Sequence, residues 1–463
     1  MSGFRIEKDS MGEMQVPENA LYGASTQRAV ENFPISGSGL PPELVRALGL
    51  VKLAAVRVNR KLGRLDSSRA DAIEAAALEV SRNELDEHFV VDVFQTGSGT
   101  SSNMNANEVI ANRAIQLRDG KVGDKSVHPN DHVNSAQSSN DVFPTAIHVA
   151  AAETIETRLL PSLKRLEDAL EAKARDFQHV VKIGRTHLQD ATPIRLGQEF
   201  SGYASQVEHG IAHVEAALPH LRELAIGGTA VGTGLNSPEG FGRRVAEEIA
   251  RETGIPFREA PNHFEAQAAQ DAFVAASGAV KCVAVSLIKI ANDIRIFAMG
   301  PRCGLGELIV PATQPGSSIM PGKVNPVICE SVVQTCAQVQ ANDLAVQLGG
   351  QWGQLDLNTM LPLMARNLLE SVRILSNVAT VFADKCISGL RADEERCRSL
   401  IAGSLAMVTA LNPLIGYDRA AEVAHEAYES GKTVREVLRE KKLLSEEDLE
   451  RVLDPESMTR PLS

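Results

Sequence analysis

Between Pro261 and Pro301 the chain has no proline, and Ala, Val, Ile and Leu fall on every face of the helix such a stretch would form. At 1.5 Å per residue, residues 264–299 would reach on the order of 50 Å. A rod apolar all round must be buried on all sides, which takes several parallel neighbours. Few segments are long enough to serve: those near 150–177, 195–223, 264–299, 325–348 and 358–384. One chain cannot surround the rod with these, so bundles shared between subunits are expected. In the first of them Ile155, Leu159, Leu163, Leu166, Leu170, Ala174 and Phe177 recur at spacings of three and four, one apolar stripe, with Pro161 predicted to kink it.

Composition agrees with helices. Aromatic residues make up 4% of the 463 and alanine is abundant, which suits helices packed through small side chains better than a β-sandwich. The fold class expected is all-α, in three helical domains. Residues 1–140 mix short helices with Gly/Ser/Asn-rich loops and show no period-2 alternation of strand length; 141–390 hold the long helices; 391–463 return to short ones. In the last region Thr433-Val-Arg-Glu436 and Ser445-Glu-Glu-Asp448 read as capping boxes and Pro455 as a stop.

The formal net charge is −12 and no Lys/Arg cluster occurs, so neither nucleic acid nor an anionic membrane is an expected partner; small molecules are. The first ten residues alternate in charge without the apolar core of a signal peptide, and no uninterrupted apolar run reaches membrane-spanning length. A cytoplasmic protein is expected. Cys282, Cys303, Cys329, Cys336, Cys386 and Cys397 include no C-x-x-C pair, so no metal site is expected and the thiols read as isolated apolar fillers.

Glycine-rich stretches do not make a nucleotide site. Gly227-Gly-Thr-Ala-Val-Gly-Thr-Gly234 lacks the Gly-Lys-Ser/Thr ending of a phosphate loop, and Gly97-Ser-Gly-Thr100 fails the context of a dinucleotide fold. Either they let backbone N–H groups approach an anion at a helix start or they simply make turns. No cofactor is expected.

Polar residues instead concentrate in four distant clusters. Thr96 to Glu108 offers uncharged hydroxyl and amide donors able to solvate a carboxylate. His128-Pro-Asn-Asp-His-Val-Asn-Ser-Ala-Gln-Ser-Ser-Asn-Asp141 precedes a long apolar helix; it could cap that helix, but is longer than one cap needs, which favours an anion site. Gly184-Arg-Thr-His-Leu-Gln-Asp-Ala-Thr-Pro193 sets His187 among groups able to orient it, as a general acid or base requires. Gly316-Ser-Ser-Ile-Met-Pro-Gly-Lys-Val-Asn-Pro326 fits neither helix nor strand, and Glu330 follows it.

One chemistry would use all four. If a dianionic substrate loses a proton from the carbon beside a carboxylate, the resulting aci-carboxylate must be held by preorganised donors and a cation, here uncharged side chains and Lys323. The leaving hydroxide then needs a proton, which an imidazole can carry near neutrality. A serine serves as the base only where N–H groups and an ammonium stabilise its oxyanion, and Gly316, Gly322 and Lys323 lie in one loop with Ser317.

In that order the four segments resemble the active-site segments of the fumarase/aspartase superfamily, and the resemblance to its class II fumarase branch runs from Glu7-Lys-Asp-Ser-Met-Gly12 to the last helices. His187, where aspartases carry Gln, and Pro-Gly-Lys rather than Pro-Ala-Lys at 321–323 favour fumarase. The resemblance implies a carbon-oxygen hydro-lyase of the tricarboxylic acid cycle that adds water to fumarate to give L-malate. It implies Ser317 as the base for the C3 proton of malate, and His187 as the proton donor and acceptor at the C2 hydroxyl through a water, oriented by Glu330. Lys323, Val324 and Asn325 are implied at the substrate carboxylate, with Ser98, Gly99, Thr100, Ser138, Ser139, Asn140, Thr186 and Ser318 as further contacts. His128, Pro129, Asn130 and Asp131 resemble a second dicarboxylate site, which Lys125, standing where the family often has arginine, would weaken. The family's homotetramer, with each active site shared between three subunits, matches the need to bury the apolar rod. The alternatives are an aspartate ammonia-lyase, which needs a place for the substrate ammonium, and a non-enzymatic structural relative, against which intact Ser317, Lys323 and His187 argue.

Overall fold

The computed structural model describes residues 3–461. Among them helices dominate and strands form only two-stranded sheets, so the fold is all-α as expected. Two compact units emerge, one of Met1–Pro161, Gly210–Ala284 and Cys336–Ser376, the other of Ser162–His209, Val285–Thr335 and Asn377–Ser463.

The first unit opens on an antiparallel hairpin, Phe4–Asp9 with Gly12–Pro17. No strand was expected in this region, and the reason is an inverted pattern. Phe4 and Ile6 are exposed, whereas the Arg5 guanidinium turns inward to donate to the carbonyls of Pro17, Ala20 and Tyr22 and to Glu7. A strand whose charged face is the inner one gives no apolar alternation to read. The centre of this unit is the helix Pro42–Lys61, started by a proline in its first turn and buried along most of its length. It packs against Ser67–Ser81, Ser139–Thr154 and Phe241–Thr253 through Leu44, Leu48, Val51, Ala55 and Val58.

The long helices fall where the apolar periodicity puts them: Leu196–Leu221, Asp271–Phe297, Val327–Gly350 and Leu361–Lys385. Two differ in detail. The rod does not start at 264, because Asn262 caps a separate short helix, His263–Ala268, and Ala269 is extended; the 27 residues that remain span about 40 Å. Upstream, the helix from Ser139 widens to a π-turn at Ile155–Leu159, and the Leu160 N–H bonds to the Ile155 carbonyl. The turn absorbs Pro161, which cannot donate a bond of its own, so the irregularity lies before the proline. By length and composition Asp271–Phe297 would also pass as a membrane span, with 44% of its most apolar window buried. Lys281 and Lys289 interrupt its apolar run, and Lys281 pairs with Asp343 at 2.6 Å.

In the second unit the short helices Glu394–Gly403, Tyr417–Ser430, Val434–Lys441 and Glu446–Val452 enclose Ile401, Leu411, Val423, Val437, Leu438 and Leu449. Thr433 makes the expected capping box with Glu436, while Ser445 accepts from the Asp448 N–H. Not all the thiols are isolated. Cys329 and Cys386, both buried, stand 3.8 Å apart, and burial pushes the Cys336 and Cys397 thiols up to about 12.

Candidate active site

In the first unit two helix starts converge. Gly99 precedes Thr100–Gln116 with φ +74, and a Cβ there would lie 2.2 Å from the Phe143 ring, so neither the backbone nor the space admits another residue. Gly97 packs as closely on the Thr359 carbonyl. These contacts place Ser98 and Thr100 with their hydroxyls 2.8 Å apart, and Thr100 Oγ1 lies 2.8 Å from Ser139 Oγ. Ser138 caps the helix Ser139–Thr154: its Oγ accepts from the Asn140 N–H at 3.2 Å, and its own N–H donates to Asp141 Oδ1 at 2.9 Å. Asn140 Nδ2 donates to the Ala230 carbonyl. Uncharged hydroxyls at two adjacent helix N-termini make a surface suited to a carboxylate.

The glycine loop of 227–234 does bring its N–H groups to an anion, but the anion is the protein's own. Asp141 Oδ2 accepts from the N–H groups of Gly227 (3.1 Å) and Thr229 (2.9 Å), and burial raises its carboxyl above the usual range. Glu108, which closes the first polar cluster, is likewise internal. It accepts from the N–H groups of Gly23, Ser25 and Thr26 and from the Thr26 hydroxyl, tying down the helix Ala24–Asn32. Asn105 of that cluster bonds backbone at His88 and Val90. The cluster is thus divided, with Ser98 and Thr100 at the helix starts and the rest holding the fold.

His128 to Asp131 open a short π-turn, Pro129–Val133. His128 Nδ1 accepts from the Asp131 N–H at 3.1 Å, and the His128 N–H donates to His132 Nδ1 at 2.8 Å. His128, Pro129 and Asn130 line a cavity of about 430 Å³ together with Lys8 and Lys125. Its carboxylates are engaged elsewhere: Glu7 by Arg5, Asp9 by Arg28, Glu108 by the amides above.

In the second unit His187 sits with Leu188 at the tip of a two-residue hairpin turn joining Val181–Thr186 to Gln189–Arg195. Both have positive φ (+55 and +60), the geometry of a tight hairpin turn. Thr186, His187 and Leu188 are exposed, and among the described residues nothing hydrogen-bonds the His187 ring. Of the neighbouring polar residues expected to orient it, Arg185 instead holds the hairpin below. Buried Lys182 lies 3.3 Å from Glu199 and 3.6 Å from Glu307, and Arg185 donates to Glu307 at 2.8 Å.

The loop after Pro315 is closed at its base by Asn325, whose Nδ2 donates to the Gly316 carbonyl at 2.7 Å. A Cβ on Gly316 would meet the Lys323 carbonyl at 2.1 Å, so the closure needs glycine there. Ser317 Oγ accepts from the N–H groups of Ile319 (3.2 Å) and Met320 (3.0 Å), and these amides, not those of the loop glycines, face the hydroxyl. Ser318, Lys323 and Val324 are exposed, and the Lys323 ammonium has no partner among the described residues. Glu330, in the first turn of Val327–Gly350, is exposed, and no ion pair joins it to His187. Sequence reasoning passed over Asp141 as an anchor and did not single out Lys52, whose buried ammonium bonds Asn134 and Gln137. An isolated lysine inside an apolar helical stretch was the available signal.

Comparison with known proteins covers the whole chain. Residues 12–341 match the lyase family and residues 407–460 the fumarase C C-terminal family. A class II fumarate hydratase of Halobacterium salinarum is 58% identical over 98% of this chain and 97% of its own. A mitochondrial fumarate hydratase of Rhizopus oryzae is 53% identical over 98% and 92%. The crystal structure of a class II fumarase from Schistosoma mansoni superposes with a TM-score of 0.97 at 40% identity, covering 99% of this chain and all of that one. With hydroxyl-rich helix starts, a serine cradled by amides and relatives similar from end to end, the chain belongs to the class II fumarate hydratase family of lyases.

Proposed function

We propose that the chain catalyses the reversible anti addition of water to fumarate, giving L-malate. End-to-end similarity to fumarate hydratases carries this reading. In the malate-to-fumarate direction Ser317 takes the C3 proton. Two N–H donors on its oxygen favour the alkoxide over the alcohol, and the Lys323 ammonium adds to that. The aci-carboxylate so formed is held by Lys323, Val324 and Asn325, with Ser98, Gly99, Thr100, Ser138, Ser139, Asn140, Thr186 and Ser318 completing the contacts. His187 delivers the proton that lets the C2 hydroxyl depart as water, and on the way back accepts it.

Among the described residues His187 and Glu330 lie exposed and unpaired in one chain, and the apolar helix Asp271–Phe297 is less than half buried in it. We therefore read the working molecule as a homotetramer in which His187 meets Glu330 of the partner subunit and each site draws on three chains. The three-domain division at 140 and 390, the second dicarboxylate site at His128–Asp131 and a cytoplasmic location belong to the same reading. An ammonia-lyase would share the serine loop but lacks a use for His187. Following ultraviolet absorbance after adding L-malate or L-aspartate to the purified protein, without added metal, tests the assignment. A rise with malate alone is expected; a rise with aspartate alone would replace it with the ammonia-lyase.

A further inference from the structure

Behind the two converging helix starts lies a fully buried lysine. Lys52 has no exposed surface, and its Nζ donates to Asn134 Oδ1 at 2.8 Å and to Gln137 Oε1 at 3.0 Å. Seven residues along the same helix, Asn59 Nδ2 donates to the Ser135 carbonyl at 2.9 Å, and from Thr100–Gln116 the amide of Asn103 reaches the same Asn134 oxygen at 3.3 Å. The segment gripped in this way, 134–137, includes Ala136 at φ +63 and runs directly into Ser138. Two amide oxygens could be satisfied by a neutral donor, and burying an ammonium is costly. The charge therefore calls for a separate explanation.

Its electrostatic surroundings are sparse. Asp141 is the charged group felt at Lys52, and that carboxylate is already bonded by the N–H groups of Ser138, Gly227 and Thr229. The other carboxylates on the helices packed against Pro42–Lys61 are engaged with other groups. Glu74 and Glu252 bind Arg57, Asp71 binds Arg60, Glu248 binds Lys61 and Arg251, Glu153 binds Arg46, Glu79 binds Arg113, and Glu108 binds backbone. His148, also on Ser139–Thr154, bonds the Glu223 carbonyl through Nδ1.

We propose that Lys52 is a positioning residue for dicarboxylate binding: it fixes the 134–137 turn so that Ser138, Ser139 and Asn140 face the substrate, and it takes up a proton when the dianion arrives. The proposal rests on the reading of Ser98, Thr100 and Ser138–Asn140 as the carboxylate-binding face. Burial brings Lys52 down to about 7, so near neutrality the free protein holds it partly uncharged. A dianion close by favours the charged form, and binding above that pH must draw a proton from solution. Affinity then falls as pH rises through neutrality.

The test is titration calorimetry of the intact oligomer with succinate, a dicarboxylate with no double bond or hydroxyl to react, at slightly alkaline pH in two buffers of different ionisation enthalpy. Wild type is expected to take up a fraction of a proton that Lys52→Met does not, and in that variant the KM for malate rises ~10-fold while kcat changes little. Uptake equal to wild type in Lys52→Met, or a fall in kcat alone, overturns the proposal. Should that variant fail to fold, Gln137→Glu keeps the lysine and gives it a carboxylate, so Lys52 is already charged and the uptake disappears; persistence of uptake overturns the proposal. Ser139→Ala separates the two readings: unchanged succinate affinity there removes the binding face itself, and the proposal with it.

Discussion

The helix start at Ser138–Asp141 and the loop at Gly316–Asn325 use the same residue types, hydroxyls, amides and one charge, and are held in opposite ways. Around the first, Asp141 is buried and collects three backbone N–H groups, Ser138 caps, Asn140 reaches Ala230 and Lys52 grips the turn before it. The second is tied by the Asn325 bond at its base and by the short turn around Ser317, and leaves Ser318, Lys323 and Val324 exposed. Stability and reactivity are thus separated: the surface we propose for carboxylate binding is tightly bonded, while the groups we propose for proton transfer sit where few contacts hold them.

The separation makes mutations fall into two kinds. Ser317→Ala should have the largest effect, lowering kcat roughly 10³-fold or more while leaving Tm nearly unchanged, since a half-buried loop hydroxyl contributes little to packing. Parallel kinetics and calorimetry check this, and a Tm drop matching the activity loss would erase the contrast. Next come His187→Asn and Glu330→Gln, each expected to cost roughly 10²- to 10³-fold in kcat/KM, with the double variant little worse than the worse single. Multiplying effects would make Glu330 a simple helix-start carboxylate.

On the rigid side the order reverses. Gly99→Ala forces a Cβ into the Phe143 ring at positive φ and should cost about 3 kcal/mol of stability, read from denaturant unfolding. Smallest is a pH effect. The unfolded chain keeps the Lys52 proton up to an ordinary lysine value of 10.5, whereas the folded chain releases it at about 7. Between those values the unfolded state binds more protons, so stability rises with pH, and Lys52→Met should flatten that rise in Tm.

The helical architecture was legible in the sequence because long apolar helices repeat at three and four over many residues. The N-terminal hairpin was not, because Arg5 and Glu7 turn inward and Phe4 outward, reversing the sign on which strand patterns rely. At the proposed site, a loop broken by Gly and Pro has no fold-based reason to carry Ser317 and Lys323, which singled them out, and His187 was singled out by the polar residues around it. Internal uses of the same residue types stayed hidden. Nothing local distinguishes Asp141, folded inward onto the Gly227 loop, from a solvent-facing cap residue. The Ser317 donors were misplaced for a related reason: the two flanking glycines suggested the amides, but the turn geometry presents those of Ile319 and Met320.

The central claim, that a single chain carries a finished binding face and an unfinished catalytic one, is tested most directly by complementation. His187→Asn and Glu330→Gln proteins, each nearly inactive, are mixed, dissociated in denaturant and reassembled together. If the pair is completed across subunits, some sites in the mixed oligomers receive an intact His187 from one chain and an intact Glu330 from another. Fumarate formation from malate then exceeds the sum of the two variants reassembled separately. Activity no greater than that sum, in oligomers shown by mass to be mixed, would place both residues' function within one chain and contradict the account.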